Sequence, residues 1–168
     1  MAIGLAAMFC SSLTGACERE TLFVLASGVL LVGASLTIHA FFMFLILKCQ
    51  IWLKDRPLAK ASGFLLIMPS ILMATVFIAM SSFIEVTLWA WALWLSGRFD
   101  GFLDALYFSG TTYTTLGTAR HVLLPPYRAL EPMEAVAGML ASGLNTAILF
   151  AILASLGRKR SGFEEFFR

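Results

Sequence analysis

Three stretches of this chain are too long and too free of charge to fold in water. Residues 22–50 carry Lys48 as their only charge, residues 64–96 carry only Glu85, and residues 135–156 carry none. Each exceeds the roughly 20 residues that an α-helix needs to cross hydrocarbon about 30 Å thick. Composition agrees, with 60% apolar and 13% charged residues and a mean hydropathy of +0.87, outside the range of soluble domains. These features predict an all-α integral membrane protein with three transmembrane helices. One membrane domain is expected over 22–157, after an extracytoplasmic segment 1–21 and before a basic cytoplasmic tail 158–168. The second span is long enough to require tilt, and Pro69 near its start can kink it.

Basic residues set the orientation. Lys48, Lys54, Arg56 and Lys60 fill the first connection, and Arg158, Lys159, Arg160 and Arg168 follow the last span. Loops rich in Lys and Arg stay in the cytoplasm, so the N-terminus is expected outside a cell (inner) membrane and the C-terminus inside. The stretch 1–16 lacks a basic start and is not read as a cleavable signal peptide. Cys10 and Cys17 would face the oxidising side and can pair, whereas Cys49 would face the reducing one. Their spacing carries no metal signature.

The connection 97–134 decides what kind of membrane protein this is. Asp100 or Asp104 can cap a short helix running to about Thr112, with Phe99, Phe102, Leu103, Leu106, Tyr107 and Phe108 at helical spacing. A dozen residues at 1.5 Å rise reach about 18 Å, half a bilayer, so such a helix must enter and return on the same side. It is followed by irregular sequence rich in threonine, Thr111, Thr112, Thr114 and Thr115, ending in Gly117. Irregular backbone at that depth is tolerated only where it is buried in protein or lines a wet cavity. The partial negative charge at the helix C-terminus would favour a cation at the turn. The plain alternative is an interfacial amphipathic helix followed by a surface loop.

Residues 105–118, Ala-Leu-Tyr-Phe-Ser-Gly-Thr-Thr-Tyr-Thr-Thr-Leu-Gly-Thr, resemble the pore helix and selectivity filter of the two-helix pore module of potassium channels. The resemblance extends through Tyr127-Arg128 and residues 134–138 into an inner helix, and back to the helix carrying Glu85 and Trp89. It is closest to small bacterial three-span ion-channel or two-pore-like proteins. It implies a pore helix and filter over about 101–119, with Thr114, Thr115, Leu116, Gly117, Thr118 and Ala119 in the filter and Arg120 at the outer mouth. It also implies a homotetramer, because one chain supplies a quarter of each carbonyl ring. The permeating ion would be a monovalent cation, K⁺ or Na⁺, with no cofactor.

The chain departs from that family at one place. Members read Gly-Tyr-Gly-Asp where this sequence has Gly117-Thr118-Ala119-Arg120. Losing the tyrosine removes an aromatic brace. Alanine in place of a left-handed glycine costs roughly 1 kcal/mol or more in each chain. Four arginines at the mouth would repel incoming cations unless neighbouring acids neutralise them. These changes argue against potassium selectivity without touching the pore-module architecture.

Several residues within the spans stand out. Gly138 and Gly143 on the inner helix allow close packing or a bend, and Asn145 and Thr146 can wet a cavity or bond a neighbouring helix, so the four are candidates for the cavity or gate. His39 and Glu85 each lie eleven residues before the end of their spans, about 16 Å deep. A buried carboxylate normally has a partner, so a His39–Glu85 hydrogen bond is expected, with a proton-sensing or cation-binding site as the sharper alternative. Trp89, Trp91 and Trp94 read as interfacial anchors.

No enzyme is indicated. The sequence has no His-Glu-x-x-His, no Gly-x-Ser-x-Gly and no phosphate-cradling glycine loop. His121 lies in the outer loop, too far from His39 to make a haem site, and three spans show no transporter-like inverted repeat. The leading expectation is passive cation permeation through a tetrameric pore in the lipid bilayer. The alternative is a non-conducting, pore-like structural or accessory subunit of a larger membrane complex. Neither involves nucleic acid.

Overall fold

Among the described residues, several polar and ionisable side chains are buried between helices while many large apolar ones face outward. The computed structural model describes residues 14–54, 63–117 and 122–157. Within them, Ser35, His39, Ser81, Glu85, Ser109 and Glu134 are at most 1% exposed, while Leu30 is 73% and Phe150 71% exposed. A surface of this kind fits hydrocarbon rather than water. In hydrocarbon, small and polar residues gather between helices and long apolar ones face the lipid. Hydroxyls that face outward follow the same logic. Thr37, Thr75, Thr87 and Thr146 each bond the carbonyl four residues back, at 2.7–3.0 Å, and so need no water.

The elements are all helical among the described residues. Helix α1 spans Thr14–Lys54, α2 spans Gly63–Leu95, α3 is the short Phe102–Tyr113, and α4 spans Leu130–Gly157 after a single 3₁₀ turn at Tyr127–Ala129. Three segments, Glu18–Leu53, Met68–Leu95 and Tyr127–Ser155, are long and apolar enough to cross a bilayer and mark a multi-pass membrane protein.

Two helices begin earlier than the apolar runs do. Helix α1 starts at Thr14, inside the stretch assigned to an N-terminal segment, and α4 starts at Leu130 rather than 135. Glu18, Arg19 and Glu20 end an apolar run without ending a helix, because their backbones propagate it while their side chains stay outside. Pro132 falls in the first turn of α4, where its missing N–H has no helical partner to lose. Helix α2 runs through Pro69. It stops at Gly97, whose φ of +69° suits glycine. Arg98 N–H then bonds Leu93 O at 3.3 Å and Gly97 N–H bonds Trp94 O at 3.0 Å, the two bonds of a Schellman cap.

Helices α1 and α2 are antiparallel neighbours joined by polar rungs. Trp89 Nε1 donates to Ser35 Oγ at 3.0 Å, His39 Nδ1 meets Glu85 Oε1 at 2.8 Å, and Gln50 Nε2 donates to the Ser70 carbonyl at 2.9 Å. Four residues forward on α1, from 35 to 39, match four back on α2, from 89 to 85. Each such bond contributes about 0.6 kcal/mol in a membrane, so the rungs fix register more than stability. Trp89 is thereby corrected from an interfacial anchor to a core residue, fully buried, whereas Trp91 and Trp94 face outward. Hydropathy alone does not separate the three, and the mark of the buried face is Glu85, one turn before Trp89.

Helix α3 lies between α2 and α4, and α1 packs on α2 and α4 rather than on α3. Gly28 lets α1 approach α4 closely, since a Cβ there would stand 2.5 Å from Met133 Sδ.

Candidate functional site: the short helix and its turn

Helix α3 forms because residues 102–113 hold no proline and place apolar and small residues along one face. Ala105, Phe108, Ser109, Thr112 and Tyr113 are buried. Its N-cap is Gly101, with no side-chain capping bond, so neither Asp100 nor Asp104 caps it. Asp104 lies in the first turn, where its negative charge suits the helix dipole.

Two buried carboxyls from the flanking helices hold this helix. The Tyr113 hydroxyl donates to Glu85 Oε2 at 2.9 Å, and Glu85 Oε1 meets His39 Nδ1. One turn earlier on the same face, Ser109 Oγ lies 3.0 Å from the Val86 carbonyl and bonds the carboxyl of Glu134. These contacts give the helix directions. From Ser109 to Tyr113 the partner on α2 moves back, from Val86 to Glu85, so α3 runs against α2. Over the same four residues the partner on α4 moves forward, from Glu134 to Gly138. Helix α3 therefore runs parallel to α4. It ends beside Glu85, ten residues before the end of α2 at Leu95, a depth of about 15 Å.

After Tyr113 the chain folds back on the helix end. Thr114 N–H bonds Gly110 O at 3.2 Å, Thr115 N–H bonds Thr112 O at 2.9 Å, and Gly117 N–H bonds Thr111 O at 3.0 Å. These bonds satisfy three of the carbonyls that a helix C-terminus leaves free. Closing the turn requires Thr115 at φ +60°, a costly conformation for a β-branched residue. Thr114, Thr115, Leu116 and Gly117 face outward, Leu116 being 80% exposed. Thr118, Ala119, Arg120 and His121 lie outside the described residues, as do Cys10 and the side chain of Cys17. On the return, Leu123 N–H bonds Glu131 Oε1 at 3.1 Å near the start of α4. The Arg98 guanidinium lies 4.3 Å from the centre of the Tyr127 ring.

The structure brings His39 and Glu85 together and joins Tyr113 to them. Gly138 is buried against Tyr113, in the close-packing role, whereas a Cβ on Gly143 would meet nothing within 4 Å. Thr146 bonds back to Ser142, and Asn145 leaves its Oδ1 buried without a partner. Beside the turn an open cleft of about 570 Å³ is lined by Ser82, Phe83, Gly110, Tyr113, Thr114 and Ser142, among others. Among the described residues no three His, Cys, Asp or Glu side chains gather where they could hold a metal.

Sequence inspection missed the anchoring roles of Ser109, Tyr113 and Glu134. Glu134 stands one position before the uncharged run 135–156, at the end of the connection 97–134. The available signal was spacing, since Glu134 and Gly138 share a face of α4 just as Ser109 and Tyr113 share a face of α3. The chain matches no protein-family model, no curated protein and no solved structure.

Proposed function

We propose that this chain is one quarter of a potassium-channel-like pore through which monovalent cations pass passively. The observation that carries this reading is the direction and depth of α3. A helix of 12 residues runs parallel to α4, ends beside Glu85, ten residues short of the end of α2, and is followed by a threonine-rich turn that heads back toward the start of α4. Placed in a bilayer, that path enters and leaves on one side, and its turn lies at membrane depth, where irregular backbone is stable only in a protein interior or a wet cavity. Residues 114–119 would form the filter, Arg120 the outer mouth, and the α4 segment carrying Gly143, Asn145 and Thr146 the cavity wall or gate.

The need for further copies is supported by what a single chain leaves uncovered. Leu116 is exposed at the turn, and the cleft beside Thr114 is open. Four chains around an axis would close these surfaces against each other. Lysine and arginine in the first connection and the tail support a cytoplasmic C-terminus and an N-terminus outside a cell inner membrane. Threonine, alanine and arginine at 118–120 argue for weak discrimination between K⁺ and Na⁺.

The coiled turn favours a second possibility, a pore-like subunit that does not conduct. Gly117 N–H closes on Thr111 O, which keeps 114–117 against the helix end rather than extended along an axis. Cation flux into proteoliposomes separates the two. Saturable flux of K⁺, Na⁺ or Cs⁺ that is lost in Thr115→Ala supports the pore, and no flux from folded tetramers rejects it. A native mass of one chain, or one copy within a larger assembly, also rejects a four-fold filter.

A further inference from the structure

We infer that His39 is a positioning residue for the turn 114–117, acting across the bundle through Glu85 and Tyr113. Helix α1 packs mainly on α2 and α4, yet it reaches the residue before the turn through two consecutive hydrogen bonds. His39 Nδ1 lies 2.8 Å from one oxygen of Glu85, and the Tyr113 hydroxyl lies 2.9 Å from the other. Both ends of the first bond are sealed, with His39 1% and Glu85 0% exposed, so no solvent can replace either partner.

Tyr113 is placed to pass this constraint on. It is the last residue of α3, and Thr114 follows it directly. Its main-chain carbonyl is seated on Gly138 with no space behind it. Its ring hydroxyl is tied to Glu85. The residue is thus fixed at two points, one on α4 and one on α2, and the α2 point is fixed in turn by His39. Without a donor at His39, Glu85 Oε1 is left bare in an apolar interior. The carboxyl must then turn to another donor or take up a proton, and either change disturbs the bond to Tyr113.

The other nitrogen of the ring supports the same assignment. With Nδ1 turned to Glu85, His39 Nε2 is buried with no hydrogen-bond partner. Buried polar atoms are seldom left so. The ring is therefore oriented for its Nδ1 contact alone, at the expense of Nε2. Ser35, one turn earlier on α1 and equally buried, contacts Trp89 instead and belongs to a separate rung. It provides an internal control.

The role in permeation rests on the proposed filter, but the relay itself is tested without it. Hydrogen exchange at the amides of Thr114, Thr115 and Gly117 is measured on the full chain in lipid nanodiscs. His39→Ala is expected to speed exchange about tenfold or more, Tyr113→Phe to do the same, and the double variant to add nothing further. His39→Asn, whose amide nitrogen stands near the position of Nδ1, is expected to restore the slow rate. Ser35→Ala is expected to leave the turn unchanged. If His39→Ala does not fold, His39→Gln, whose amide falls beyond that position, replaces it under the same expectation. Unchanged exchange in the His39 variant, or equal acceleration by Ser35→Ala, overturns the relay. Cation flux is read on the same proteins in liposomes. Flux altered by His39→Ala and restored by His39→Asn ties the relay to permeation. A wild-type protein without flux rejects the pore and leaves the exchange result to decide the relay.

Discussion

The main-chain oxygen of Tyr113 lies 2.0 Å from where a Cβ on Gly138 would stand, so α3 meets α4 backbone to backbone at the start of the turn. No side chain can be accommodated there unless one helix moves. Gly138→Ala is therefore expected to destabilise the fold by about 3 kcal/mol, the upper end for overpacking, and to lower the thermal midpoint in detergent. Gly143→Ala meets open space in one chain and is expected to leave the midpoint unchanged or raised, since alanine favours a helix over glycine by about 1 kcal/mol. Loss of the native oligomer in Gly143→Ala, with helix content intact, would place Gly143 at a contact between copies.

Ser109 has one hydroxyl proton and two neighbours that can accept it, the Val86 carbonyl and the Glu134 carboxyl. A carbonyl cannot donate, so both contacts are satisfied when the carboxyl brings the second proton. Glu134→Gln supplies a donor in the same place and is expected to fold within about 1 kcal/mol of wild type. Glu134→Ala removes it and leaves a void, at a cost of about 2–3 kcal/mol. The infrared band of a protonated carboxyl should be present in wild type and absent in Glu134→Gln. An unchanged band in that variant would refute the proton count.

Thr115 holds a φ of +60° to close the turn. Glycine adopts that conformation without the penalty of about 1 kcal/mol that a side chain incurs. Thr115→Gly is expected to raise thermal stability by about that amount while reducing or abolishing flux. Higher stability with unaltered flux would show that the strain and the hydroxyl serve no permeation role.

Installing the potassium-channel pattern tests the proposed pore from the other direction. Thr118→Tyr, Ala119→Gly and Arg120→Asp together are expected to raise the K⁺ over Na⁺ flux ratio, because they supply an aromatic brace, a glycine free to adopt the left-handed conformation and a negative mouth. An unchanged ratio from assembled tetramers would count directly against a filter at 114–119.

Much of this architecture is legible in one dimension. Long runs with at most one charge identify the three spans, since a helix needs about 20 apolar residues to cross hydrocarbon. The depth of His39 and Glu85 follows from residue counts at 1.5 Å each, and antiparallel neighbours at one depth can meet. Helix boundaries are less legible, because Glu18, Arg19 and Glu20 interrupt hydropathy without interrupting hydrogen bonds. Trp89 is the instructive error. Three tryptophans near one end of a span suggest an interfacial belt, yet Trp89 is turned inward to Ser35, on the face that Glu85 marks one turn earlier.

Length and hydropathy are local properties, and they suffice for an all-helical, multi-pass membrane chain with a short helix before a threonine-rich turn. How that helix is held is a matter of packing between distant segments. Its grip depends on Ser109 meeting Glu134, on Tyr113 meeting Glu85 and Gly138, and on Glu85 meeting His39. Those partners are separated by 25 to 46 residues along the chain, and only the packing of α1, α2 and α4 around one another brings their faces into register.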